Sequence, residues 1–140
     1  MDLERSRQVL IDHSRSKKNG EFPSAVTHEG QLTNPLCGDH VTLKLQIENK
    51  KILEAGFQAK ACAICTASAS LLCEDLHGQT VTVAIGMTQD FEANILAELA
   101  TPWPKALEIF HCFEHLKTNP SRKTCALLPF VALRSILKKI

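Results

Sequence analysis

Val41-Thr-Leu-Lys-Leu-Gln-Ile47, then Glu48-Asn-Lys-Lys51, then Ile52-Leu-Glu-Ala-Gly-Phe-Gln-Ala59 is the stretch on which the fold turns. Val41, Leu43, Leu45 and Ile47 alternate with Thr42, Lys44 and Gln46, the period of a strand with one buried face. Beyond the polar Glu48–Lys51 segment, Leu53, Ala55, Phe57 and Ala59 alternate again. Two alternating runs around a short polar turn predict an antiparallel hairpin.

Toward the N-terminus, Leu3, Val9, Leu10 and His13 recur at helical spacing, predicting a helix over 3–16 that stops at Asn19-Gly20. Residues 21–36 carry Pro23, Gly30 and Pro35 among polar residues and read as loop, with a short strand near Ala25–Thr27. Toward the C-terminus, the second strand delivers the chain to Cys62, and Ile64–Leu76 reads as a helix ending before His77-Gly78. Thr80–Ala84 is β-branched and locally strand-like, whereas Phe91–Leu99 looks helical; the conflict is resolved toward helix. Pro102 and Pro104 interrupt, and Lys105–Leu116 reads as an amphipathic helix with Ala106, Ile109, Phe110, Phe113 and Leu116 on its apolar face. Asn119-Pro120 breaks it, and Ala126–Lys138 forms a closing helix with Pro129 in its first turn. Strands segregated from helices predict an α+β fold: one domain over 1–140, a small antiparallel sheet of about three strands packed by helices.

Lys and Arg number 16 against 15 Asp and Glu, so the charge implies no basic face for nucleic acid. The most apolar run, Cys125–Leu133, is too short to span a bilayer, and Met1-Asp-Leu-Glu-Arg5 lacks the apolar core of a signal peptide. A cytoplasmic, reducing location follows as the expectation. There the six cysteines read as thiols, metal ligands or nucleophiles rather than disulfides.

Three of those cysteines lie in settings that favour a thiolate. Cys37 is on a Pro/Gly turn with Asp39 two residues on, and Gly38 between them lets both side chains face one point. Cys62 and Cys125 each precede a predicted helix, where unpaired N–H groups favour negative charge. Three sulfurs and one oxygen complete a tetrahedral shell for zinc, and the same thiolates suit iron–sulfur units. His40, next to Asp39, competes with it as fourth ligand.

Asn34-Pro-Leu-Cys-Gly-Asp39, Ala61-Cys-Ala-Ile-Cys-Thr-Ala-Ser-Ala-Ser70 and Arg122-Lys-Thr-Cys-Ala-Leu-Leu-Pro-Phe-Val-Ala-Leu133 resemble three motif blocks of iron–sulfur cluster assembly proteins of the NifU N-terminal type, which include IscU and SufU. Val9-Leu-Ile-Asp-His13 and Asn19-Gly20 resemble that family's first helix and its exit. The long Cys62–Cys125 spacing, and Thr124 where IscU-type scaffolds carry histidine, place the resemblance nearest the SufU branch. It differs at Ala61 for glycine, Cys65 for serine, Ser6 for tyrosine and Lys17-Lys18 for Pro-Arg. The resemblance implies that Cys37, Asp39, Cys62 and Cys125 bind Zn2+. It also implies that a cysteine desulfurase using pyridoxal phosphate donates persulfide sulfur, with Cys37 the first acceptor and Cys125 acting with it. Downstream, an iron–sulfur carrier or apo-protein would receive the product. The alternatives are a scaffold holding a transient [2Fe–2S] cluster, or iron, on Cys37, Cys62 and Cys125, and a structural zinc protein.

Two further motifs point elsewhere. Cys62-Ala-Ile-Cys65 has the spacing of a redox pair, but the preceding hairpin is not the βαβ context of a thioredoxin-like fold. His111-Cys-Phe-Glu-His115 has the order of a metalloprotease helix, but an α-helical wheel turns both histidines to solvent. Cys65 and Cys73 read as small buried thiols on a packing face.

Overall fold

Asn49 and Lys50 adopt φ of 52° and 61°, the left-handed pair that a two-residue hairpin turn requires. In this computed structural model they join β2 (His40–Glu48) to β3 (Lys51–Lys60), as the alternation predicts. A bulge after Gln46 pairs Ile47 with Ile52 and leaves Leu53 as the extra residue. Ile52 is therefore fully buried and Leu53 exposed, which corrects the sequence phase at the start of this strand. From Ala55 onward the register is as expected, Leu43 facing Phe57 and Val41 facing Ala59. The third strand, β1 (His28–Thr33), lies slightly beyond the expected Ala25–Thr27 and pairs antiparallel with β2, giving the order β1-β2-β3.

The structure describes residues 2–16, 20–97 and 102–140, so Lys17-Lys18, Asn19 and Leu99 lie outside it, as does the side chain of Ala106. Helix α1 (Leu3–Ser14) is capped by Asp2, whose carboxylate accepts the Arg5 N–H. Helix α2 (Ala63–Leu76) and the long C-terminal helix α4 (Pro120–Leu137) cover the sheet, α2 against β3 and α4 against β1 and β2. Helix α3 (Val81–Ile95) packs on α4. Thr80 is its N-cap, accepting the Val83 N–H at 3.1 Å, so the β-branched run opens a helix rather than a strand. No helix among the described residues is long and apolar enough to cross a membrane.

Two expectations near the C-terminus are corrected. Lys105–Leu116 is a 3₁₀ helix with a kink at Leu107, not an α-helix. Leu107, Phe110, Phe113 and Leu116, spaced by three, are buried, whereas Ile109 is exposed. The closing helix begins at Pro120, not Ala126: Asn119 caps it through the Arg122 N–H at 3.2 Å, and Pro120 occupies the first turn. Asn119-Pro120 thus ends one helix and starts the next. Pro129 consequently lies inside α4, and having no N–H it leaves the Cys125 carbonyl without its helical donor.

Candidate metal centre

The Asn34–Asp39 loop is held from within by one buried side chain and its backbone. The Asn34 N–H donates to the Asp39 carbonyl (2.7 Å) and the Asn34 carbonyl accepts from the Gly38 N–H (2.8 Å). Asn34 Oδ1 also accepts from the Leu36 N–H (3.0 Å). Gly38, at φ +76°, makes the reversal that an L side chain resists. Leu36 (93% exposed) and Cys37 are thereby pushed outward, and Asp39 (6% exposed) is drawn in. Sequence reading did not single out Asn34; an Asn-Pro pair ahead of a Cys-Gly turn is the signal that marks it.

Strand parity separates Asp39 from His40. Asp39 shares the core-facing parity of Val41 and Leu43. The His40 ring nitrogens instead meet the Thr33 and Thr42 hydroxyls at 2.6 and 3.5 Å. Asp39 Oδ1 accepts the Cys62 N–H at 3.1 Å, joining the entrance of β2 to the start of α2. Cys62 is the N-cap of α2, its Sγ accepting the Cys65 N–H at 3.5 Å.

Cys125 arrives from α4, in its second turn rather than at its N-terminus, which corrects the sequence expectation for this thiol. Burial first, then neighbouring Cys62 and Asp39, push it well above the usual thiol range, where the expected helix start would have lowered it. The Ser68 hydroxyl donates to the Ala126 carbonyl at 2.5 Å, fixing α2 to α4 beside it.

The ligand atoms of Cys37, Asp39 and Cys125 all lie within 4.8 Å of one another. Cys62, the fourth residue expected there, stands outside that triplet but beside Cys125. Asp39 Oδ2 is buried and receives no hydrogen bond among the described residues. A buried carboxylate oxygen without a hydrogen bond, on a residue gathered with two thiols, fits a metal ion, because a cation supplies the partner that the protein withholds.

The other cysteines are set apart. Burial pushes the Cys73 and Cys112 thiols up to about 12, as expected for packing groups. Cys65 is also raised to about 12, by burial first and then by Asp39, Cys62 and Cys37, so it lies beneath the site rather than away from it. In the His111–His115 segment the 3₁₀ period aligns His111 with Glu108 and Glu114, not with His115. His115 is exposed as expected; His111 is half-buried, a correction, with Nδ1 unpaired among the described residues.

The fold and this loop-and-helix site together define a class. The chain belongs to the NifU-like N-terminal domain family, whose model matches residues 5–119. An iron–sulfur cluster assembly scaffold protein IscU of Thermotoga maritima is 31% identical over 135 residues, 95% of this chain and 92% of that protein. The zinc-dependent sulfurtransferase SufU of Bacillus subtilis is 24% identical over 136 residues, 95% of this chain and 89% of that protein. A crystal structure from Fervidobacterium islandicum AW-1, described as a candidate iron–sulfur cluster assembly scaffold of the SUF system, superposes with a TM-score of 0.80. It is 26% identical and covers 93% of this chain and 94% of its own. The α+β fold with a three-stranded antiparallel sheet is thus the family's.

Proposed function

We propose that this chain is an iron–sulfur cluster assembly protein that accepts persulfide sulfur from a cysteine desulfurase, as SufU-like proteins do. The observation that carries this reading is the convergence of the Cys37, Asp39 and Cys125 ligand atoms within 4.8 Å of one another, with Asp39 Oδ2 left unpartnered among the described residues. Cys37, Asp39, Cys62 and Cys125 would hold zinc. Bound there, zinc stabilises thiolates at neutral pH and shields them from oxidation.

The chain's own residues perform the transfer. Cys37 is the exposed member, carried on the loop that Asn34 holds, so it can enter another protein's cleft while Asp39 and Cys125 stay behind. Its thiolate attacks the outer sulfur of the donor's cysteine persulfide. The donor S–S bond breaks, the donor cysteine leaves as thiolate, and Cys37 becomes the persulfide. A downstream carrier or apo-protein takes the sulfur by the same exchange. The setting is the cytoplasm, where thiols stay reduced.

Purified protein is expected to contain zinc and to accelerate a cysteine desulfurase. Cys37→Ala or Cys125→Ala is expected to abolish that acceleration, and unchanged turnover in either variant refutes that residue's assignment. A second reading, a scaffold on which a [2Fe–2S] cluster forms as cargo, draws on the higher identity to the Thermotoga scaffold (31%) than to the Bacillus sulfurtransferase (24%). Iron and sulfide reconstitution followed by absorption spectra separates the two. Metal content without any effect on the desulfurase leaves only a structural zinc protein.

A further inference from the structure

Cys62-Ala-Ile-Cys65 is a motif that sulfur acceptance leaves half used. Helix α2 opens on it, with Cys62 as the N-cap and Cys65 as the third helical residue. The Cys62 Sγ accepts the Cys65 N–H at 3.5 Å, so the sulfur is folded back over the backbone of its partner instead of pointing off the helix end. Three residues of helix rise about 4.5 Å along the axis, and disulfides bridge Cα atoms about 4.4–6.8 Å apart, so the helical spacing of the pair falls in the range a bridge spans. Exposure divides the roles: Cys62 is half-buried and reachable, whereas Cys65 is fully buried beneath it.

We propose that Cys62 and Cys65 form a disulfide modification site that a low-molecular-weight disulfide such as oxidised glutathione closes. The Cys62 thiolate attacks one glutathione sulfur, forming a mixed disulfide and expelling the other glutathione as thiolate. Cys65, one helical turn from the mixed disulfide and needing no access from solvent, then attacks Cys62 Sγ as its proton passes to the departing second glutathione sulfur. Two protein thiols lose two electrons in all, and one glutathione disulfide becomes two glutathione thiols. Among the cysteines this pair closes the shortest ring, which gives it the smallest loop-closure cost. A closed bridge withdraws Cys62 from the metal centre. That consequence rests on the ligand set proposed above; the bridge itself does not.

The test treats the full-length protein, as purified and after chelation, with oxidised glutathione under native conditions, then unfolds the chain in denaturant, alkylates every remaining thiol and maps them by mass spectrometry. The expected product of the chelated protein is one peptide, two hydrogens lighter, in which Cys62 and Cys65 escape alkylation. Zinc uptake is lost with it and returns on adding dithiothreitol. Cys65→Ser is expected to stop at a glutathione adduct on Cys62, while the untreated variant keeps its metal and still accelerates the desulfurase. Recovery of alkylated Cys65 after oxidation, with Cys62 bridged to Cys37, Cys125 or glutathione, overturns the proposal; this mapping needs only the unsubstituted chain. Bridge formation with zinc uptake unchanged overturns the ligand role of Cys62 and leaves the disulfide site standing.

Discussion

Helix α4 serves two regions built on opposite principles. Its later turns enter an aromatic core: Phe130 stacks on Phe91 with centroids 3.7 Å apart, and Phe110 meets both rings edge-on. Its second turn carries Cys125 to a rim where Asp39 Oδ2 lacks a partner and Cys37 is exposed. The core closes on apolar area, whereas the rim is held by a few hydrogen bonds and leaves a polar group unsatisfied. An unsatisfied buried group costs stability, about 1–3 kcal/mol, so a fold that keeps one has a use for it. The contrast teaches where this protein places stability and where it places chemistry.

Breaking each region in turn should give opposite signatures. Cys37→Ala is expected to remove desulfurase acceleration entirely, yet leave the urea midpoint of the chelated protein nearly unchanged because its side chain is exposed. A midpoint falling as far as that of a core variant would contradict the separation. Phe91→Ala should do the reverse, lowering stability by about 3–5 kcal/mol while the fraction still folded binds zinc normally. Equilibrium unfolding and metal titration on one sample check both halves.

Smaller changes sharpen the comparison. Asn34→Ala removes the acceptor for the Leu36 N–H, and about 1 kcal/mol of stability is expected to go with it. Weaker binding of Co2+, read from its thiolate absorption, should accompany this, and Asn34→Asp, which keeps the acceptor, should restore most of it. Equal loss in both variants would argue against the loop staple. The mildest test is chemical. In native, chelated protein at pH 8, Cys37 should alkylate rapidly, while Cys73 and Cys112, raised by burial to about 12, stay unmodified until the chain unfolds.

Legibility followed the range of the interactions. The β2–β3 hairpin was readable because period-two alternation and a polar turn are local and agree. Cys37 with Asp39 was readable because a glycine between two donors is a local device. The first miss came where two local signals overlapped: Asn119-Pro120 reads as a stop, and only the cap geometry shows it also to be a start. That single boundary moved Cys125 from a helix end to a helix interior, where burial first and then Cys62 and Asp39 raise its thiol instead of lowering it. The 3₁₀ helix is a subtler case. Leu107, Phe110, Phe113 and Leu116 keep a period of three, but the four-residue spacings Ala106–Phe110 and Ile109–Phe113 in the sequence also satisfy an α-helical wheel.

By itself the sequence determined the α+β class, the hairpin and the start of a helix just after Cys62, since each depends on neighbours along the chain. Tertiary structure alone decided that Cys125 reaches Cys37 and Asp39, that Cys62 stands beside that triplet, and that His40 turns to Thr33 and Thr42. Those outcomes depend on how α4 crosses the sheet and which face of β2 meets it. They follow from packing, which joins residues distant in the chain and leaves no periodic trace in it.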